Sequence, residues 1–229
     1  MSKTYLFAGA SSAIAEACAK NLQKKGHHLI GLSTKDATTI YDEFHTVDSY
    51  QTGNFPSIEK AIDGLVYFPG TINLKPFNRI TEADFLNDFQ INNLGAVAFI
   101  QAYLKNIKMS QSASVVLMSS VAGSVGLPFH ASIAMAKGGI ESFTRALAAE
   151  LAPSIRVNCV APSLTNTPLG EKLLNTPEKM ELMKKRNPLQ KVGSPEEVGN
   201  VISFLLCEES AWISGQILAV DGGMGSLKI

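Results

Sequence analysis

The chain has 229 residues, 45% of them apolar and 17% charged, and its 20 basic residues balance its 20 acidic ones. A chain of this length buries most of the surface its unfolded form exposes, so one self-sufficient domain over residues 1–229 is expected and intrinsic disorder is excluded. Charge neutrality argues against a global preference for nucleic acid or for an anionic membrane.

The first strand-length apolar run is Tyr5–Ala8, followed by a helical stretch at Ala13–Lys25. His28–Leu32 reads as a second strand, Glu43–Val47 as a weaker third and Leu65–Phe68 as a fourth. A long helical stretch, Glu82–Lys105, precedes a strand at Ser114–Met118, and a second one, Ala131–Leu151, precedes a strand at Arg156–Val160. A helix at Pro195–Leu206 and a strand at Gln216–Val220 close the series. Strands and helices alternating in this way predict an α/β fold: a doubly wound parallel sheet of about seven strands with helices on both faces and right-handed crossovers. The stretch Thr165–Pro188 is polar, Pro-punctuated and weakly patterned. Ligands of such sheets bind at the carboxyl ends of the strands, and this stretch is expected to close over that crevice.

Cys18, Cys159 and Cys207 are odd in number, lack metal-ligand or redox-motif spacing, and sit in apolar runs. They read as small buried thiols in a reducing, cytoplasmic compartment. Met-Ser-Lys-Thr leads straight into Tyr5 without the features of a signal peptide, and no apolar run approaches the ~18 residues of a membrane span.

The first strand runs into Phe7-Ala8-Gly9-Ala10-Ser11-Ser12-Ala13-Ile14-Ala15 and then a helix. A tight strand-to-helix turn presents free amides and the positive end of the helix dipole, which suits a diphosphate. Ser11 and Ser12 can cap the helix or touch phosphate. With one glycine the pattern by itself also fits an ordinary turn.

The whole chain resembles the short-chain dehydrogenase/reductase family. The Gly9–Ala15 segment sits where that family has its cofactor turn, and Asn93-Leu94 where it keeps an asparagine in the central helix. Met118-Ser119-Ser120-Val121-Ala122-Gly123 resembles the strand end that carries the catalytic serine, matching Ser120, and Ala134-Met135-Ala136-Lys137 the stretch that ends in the catalytic lysine. Ile155–Pro162 and Ile213–Gly223 match the later strand and the C-terminal signature. The overall look is nearest to 3-oxoacyl reductases of the acyl-carrier type. The resemblance implies catalytic roles for Ser120, Lys137 and Asn93. It implies cofactor contacts at Gly9, Ser11, Ser12, Ile14, Ser33, Thr34, Lys35, Asp48, Gly70, Lys137, Pro162 and Thr167. A small-molecule carbonyl or hydroxyl compound is the implied substrate. A homodimer or homotetramer through the two long helices is the implied assembly, with pairing to an active homologue as the alternative.

The departures cluster at the chemistry. The family's tyrosine lies four residues before its lysine, where this chain has Ile133, and its five tyrosines, at 5, 41, 50, 67 and 103, all lie elsewhere. The later glycines of the cofactor turn are Ala13 and Ala15, the family's Asn-Asn-Ala-Gly reads Tyr67-Phe68-Pro69-Gly70, and its Pro-Gly reads Pro162-Ser163. Between Lys35 and Leu65 the chain is short, so the helices flanking the third strand are expected to be trimmed. Pro69 removes a backbone donor, and Phe68 either stacks near the adenosine or packs beneath it.

In the family the tyrosine gives a proton to the developing alkoxide, a contribution worth roughly 10²–10⁴-fold. His130 shares a helical face with positions 133 and 137 if the helix begins early enough, and then stands as a donor; otherwise it is a loop histidine. Lys137 supplies the proton through water if Ile133 desolvates it, whereas Ser132 points about 100° away from that face. Ser120 and Asn93 also admit plain structural readings, as a strand-end cap and a backbone-bonded amide. The second strand ends in Leu32-Ser33-Thr34-Lys35 with no carboxylate before Asp36, which suits the 2′-phosphate of NADP better than the ribose of NAD, unless the loop has no ligand role. Asp48 stands near the adenine or simply forms a turn. Two readings result: an NADP-dependent oxidoreductase with atypical proton delivery, and a catalytically impaired nucleotide-binding subunit.

Overall fold

The computed structural model of the chain describes residues 2–36 and 39–228. Seven parallel strands form one sheet in the order β3-β2-β1-β4-β5-β6-β7: β1 Thr4–Ala8, β2 His28–Ser33, β3 Glu43–Thr46, β4 Gly64–Tyr67, β5 Ala113–Met118, β6 Ile155–Pro162 and β7 Ile217–Val220. The central strands are predominantly apolar because both faces are covered. Leu6 sits between Ile30 on β2 and Leu65 on β4, and these three side chains belong to the core on one face. Tyr5, Phe7, Leu29 and Val66 belong to the core on the other. The order reverses direction between β1 and β4, and a crevice opens there at the carboxyl ends.

The helices begin where local chemistry supplies caps. In α1 (Ala13–Lys24) the Ser12 hydroxyl accepts from the Ala15 amide, and α2 (Glu82–Phe89) starts with a reciprocal Thr81–Asp84 capping box. The same device, Ser194 with Glu197, opens α7 (Pro195–Leu206). On α7, Gly199 lets the two helices touch: a Cβ there would come within 2.8 Å of the Cys18 amide on α1. The remaining helices are α3 (Gly95–Lys108), α4 (Ala131–Leu151), α5 (Glu171–Leu174) and α6 (Pro177–Lys185).

Two expectations change in detail. The single helix expected over Glu82–Lys105 is divided into α2 and α3 by one π turn, Gln90–Leu94. The divergence has a physical cause. The Asn92 side-chain amide donates to the Asp88 carbonyl at 2.8 Å, and the Tyr67 hydroxyl donates to the Ile91 carbonyl at 2.7 Å, so side chains take carbonyls that a regular ladder would use. Thr165–Pro188 is not irregular throughout but carries α5 and α6, the second capped by Thr176 with Pro177 in its first turn. Helix α4 runs over Ala131–Leu151 as read from the sequence, so His130 precedes the helix and its loop reading holds. No helix occurs between β2 and β4 among the described residues, in line with the trimming read from the sequence. Among the described residues, no helix is long and apolar enough to cross a membrane.

The π turn and β4 fit each other. A Cβ on Gly95 would lie 2.0 Å from the Tyr67 hydroxyl oxygen. Alanine normally stabilises a helix interior relative to glycine, yet here Gly95→Ala is expected to cost about 1–3 kcal/mol through overpacking. Thermal unfolding should show Tm lowered by ~2–9 °C, with Tyr67→Phe restoring part of the loss.

Candidate active site

Two adjoining cavities open at the carboxyl ends of the strands, about 580 Å³ on the β2 side and about 230 Å³ on the β5–β6 side. Gly9, Ser11, Ser12, Ser33, Thr34 and Lys35 line the larger one, as does Asp48. Ser120, Lys137 and Pro162 line the smaller. Ile14, Gly70 and Thr167 border both, so they stand where the two meet.

The larger cavity is built around the β1–α1 turn. Gly9 adopts φ +75°, and a Cβ on it would come within 2.9 Å of the Pro69 ring. The amides of Ala13 and Ile14 open α1, where no intrahelical acceptor exists. Ser11 and Ser33 share a hydrogen bond of 2.7 Å, and Ser33 also accepts from the Lys35 amide. Ser33 is therefore a buried fastener of the loop, whereas Thr34 and Lys35 are exposed. Phe68 packs edge-on against Phe7 at 5.2 Å and borders both cavities. Tyr50, which sequence reading left without a role, lines the larger cavity, edge-on to Tyr67 at 5.8 Å. Burial raises its phenol pKa, opposed by hydrogen bonding to Ser33 and Thr34.

The smaller cavity is lined by Ser120 and Lys137, for which the family resemblance implies catalytic roles. Lys137 on α4 is buried, and its ammonium donates to the Met118 carbonyl at the end of β5 at 2.9 Å. Burial lowers its pKa from 10.5 to about 8, with Cys159 and Asp88 acting in the opposite sense. Ile133, one turn earlier, is 4% exposed and lines the same cavity. Ser120 is half-buried, and its oxygen accepts from the Ala122 amide at 3.2 Å, leaving its hydrogen free to face the cavity. Its neighbour Ser119 turns inward to donate to Glu141 at 2.8 Å.

Asn93 is a correction. Its side chain does not line either cavity; it is buried and donates to the Ala136 carbonyl on α4 at 3.0 Å, seated over Gly139. It thereby ties the π turn to α4 at the residue before Lys137. His130 lines the smaller cavity but is exposed, and its Nδ1 donates to the Pro128 carbonyl at 2.7 Å. Ser132 is buried and donates to Asp88 at 2.6 Å. Asp88, Asn92 and Thr71, which the sequence reading passed over, stand behind Lys137. The signal available for them was the four-residue spacing of Asp88 and Asn92 on one helix face.

A family model described as Enoyl-(Acyl carrier protein) reductase matches residues 55–225. A 3-oxoacyl-(acyl-carrier-protein) reductase of Thermotoga maritima is 31% identical, with 97% of each chain covered, and carbonyl reductase family member 4 of Danio rerio is 32% identical with 98% of each covered. Ligand-free aldohexose dehydrogenase of Thermoplasma acidophilum superposes with a TM-score of 0.90 at 24% identity, over 99% of this chain and 95% of that one. The chain belongs to the short-chain dehydrogenase/reductase family. The family binds NAD(P), and the features of the larger cavity fit such a dinucleotide: a left-handed glycine, free helix-start amides and hydroxyls at the turn.

The buried ammonium makes stability depend on pH. Lys137 binds its proton more weakly in the folded chain than in the unfolded one, so the penalty is complete below pH ~8 and is relieved as pH rises toward 10.5. Chemical denaturation of wild type against Lys137→Met should show the wild type gaining up to ~3 kcal/mol on the variant across that window.

Proposed function

We propose that the protein is an NADP-dependent oxidoreductase that reduces a carbonyl compound, with the ammonium of Lys137 as its proton source. The observation that carries this reading is Lys137 itself. It is buried in the wall of the smaller cavity, one helical turn from Ile133, with a pKa of about 8 that suits proton transfer near neutrality. The nicotinamide, when bound, supplies the hydride. Ser120 hydrogen-bonds the carbonyl oxygen and polarises it. Ile133 excludes water from the ammonium. Lys137 then neutralises the alkoxide that forms when the carbonyl carbon is reduced. Asn93 and Ser119 hold α4 in place from opposite sides.

NADP is favoured by Thr34 and Lys35, exposed at the end of β2 with no carboxylate before Asp36. ElxO, a structural neighbour with a TM-score of 0.88 at 23% identity, was solved with NADP bound. A 3-oxoacyl-like substrate is supported by the likeness to the Thermotoga reductase and by the apolar side chains around the smaller cavity, among them Ile72, Leu74, Leu164 and Leu173. Self-association through α2, α3 and α4 is supported by exposed Leu86, Phe89, Leu94 and Met135. The alternative reading, an impaired subunit paired with an active homologue, has Ile133 in its favour, since an alkyl group cannot donate a proton.

Calorimetric titration of the nucleotide-free protein should give micromolar binding of NADPH and weaker binding of NADH, and Lys35→Glu should weaken NADPH about tenfold while sparing NADH. Absence of binding by either nucleotide would shift the weight to the impaired subunit. For catalysis, Ile133→Tyr should raise kcat for ketone reduction by roughly 10²-fold. In the wild type, reduction should slow as pH rises through about 8, because the ammonium is then lost, and alcohol oxidation should speed up over the same range. A flat profile in both directions would exclude Lys137 as the donor.

A further inference from the structure

Behind Lys137 lies a buried polar line that hydride transfer does not use. Asp88, at the end of α2, is 0% exposed. Its Oδ1 accepts from the Thr71 hydroxyl at 2.6 Å and its Oδ2 from the Ser132 hydroxyl at 2.6 Å, with a longer contact of 3.5 Å from the Asn73 amide. The Thr71 hydroxyl in turn accepts from the Asn92 side-chain amide at 3.0 Å. That amide also donates to the Asp88 backbone carbonyl, so both of its N–H groups are committed and the orientation of the side chain is fixed. The consequence is an acceptor with nowhere to go: Asn92 Oδ1 is buried and has no hydrogen-bond partner. It does have a direction. A Cβ placed on Gly70 would lie 3.1 Å from Asn92 Oδ1 and 3.2 Å from Lys137 Nζ, so the orphan oxygen and the ammonium converge on the same spot beside Gly70. Gly70 borders both cavities, which puts that spot at their junction. A buried acceptor without a partner needs an explanation, and a cation beside it is one.

We propose that Asp88 is a positioning residue which, through Thr71 and Asn92, aims the Asn92 side-chain oxygen at the Lys137 ammonium and sets one negative charge behind it. The assignment rests on Lys137 being the proton source. In the step it serves, the carbonyl π bond breaks as carbon receives the hydride, and the oxygen takes one proton from Lys137. The resulting amine then recovers a proton from water at the cavity mouth, so the sum is carbonyl plus hydride plus one proton to alcohol. The other titratable or charged groups around Lys137 are Cys159 on β6, whose thiol burial pushes up to about 12, and Glu141 one turn along α4, tied to Ser119. His130 and Arg186 line the same cavity. None of these joins the line from Asp88 to Asn92.

The test is the titration of Lys137 in the nucleotide-free protein, followed by NMR of 15N-labelled lysine side chains with Lys137→Met to assign the signal. Asp88→Asn keeps the size of the side chain and an acceptor for Ser132 while removing the charge. It should move the Lys137 midpoint down by about one pH unit and move the alkaline limb of kcat for ketone reduction by the same amount. Affinity for NADPH should stay within about twofold, since Asp88 lies outside the larger cavity. A midpoint and a limb that both stay in place would overturn the assignment and leave Asp88 as a fastener between Thr71 and α4. A midpoint that moves in a protein without turnover would sustain it and reject the catalytic reading instead. Should Asp88→Asn not fold, Thr71→Val cuts the line at its middle with the volume kept. The midpoint should then fall by about half a unit, and no change would again overturn the proposal.

Discussion

The hydrogen bond from the buried Lys137 ammonium to the Met118 carbonyl is the constraint around which the site is organised. An ammonium taken out of water needs hydrogen-bonding partners, and here the main one is a strand-end carbonyl left free beyond the last rung of the ladder. Satisfying it clamps the first turns of α4 to the end of β5. The same clamp holds Ile133 and Ser120 on opposite sides of one cavity. Ser119 and Asn93 reinforce it, each through a backbone carbonyl or carboxylate of α4 or its core neighbours.

The clamp extends to the central helix through the π turn. Inserting one residue re-aims two consecutive asparagines, so that Asn93 reaches α4 while Asn92 reaches Thr71 and the Asp88 carbonyl. Tyr67, standing where the family has an asparagine, holds the turn by its hydroxyl and fills the space that Gly95 leaves empty. The altered β4 end and the helix are thus one fitted unit. The changes at Tyr67, Phe68 and Pro69 are likewise matched by Gly9, which tolerates the proline ring because it carries no side chain.

Replacing the tyrosine by Ile133 alters the electrostatics of the site as well as removing a donor. An alkyl group one helical turn from the lysine, in the same cavity wall, adds no polar partner there, and burial lowers the ammonium's pKa to about 8. The chain therefore lacks the family's acid at position 133 and keeps a lysine whose pKa burial lowers to about 8. This is the physical reason why retention of Ser120 and Lys137 without the tyrosine still describes a chemically coherent arrangement.

Much of this was legible in the residues. The alternation of apolar runs with helical periodicity determined a parallel sheet with helices on both faces, because periods of 2 and 3.6 and continuous apolar strands leave few other ways to bury the chain. The turn at Gly9 could be read from its place between a strand and a helix, whereas Ser120, Lys137 and the absence of a tyrosine at 133 came from the resemblance to the family. Local sequence carries no information on which buried polar atoms end up facing each other. Asp88, Thr71 and Asn92 are separated in the chain from Lys137 by 45 residues or more, and only packing brought them behind it. The split of the central helix came from Asn92, whose side chain takes the Asp88 carbonyl, and from Tyr67, an interaction across elements that helix propensity cannot register. His130 lies outside the helical face because α4 starts at Ala131, where the sequence pattern also begins it, so its loop reading holds. Fold followed from pattern; the charge environment of the ammonium was decided by tertiary contacts, because desolvation is a property of what surrounds a group in space.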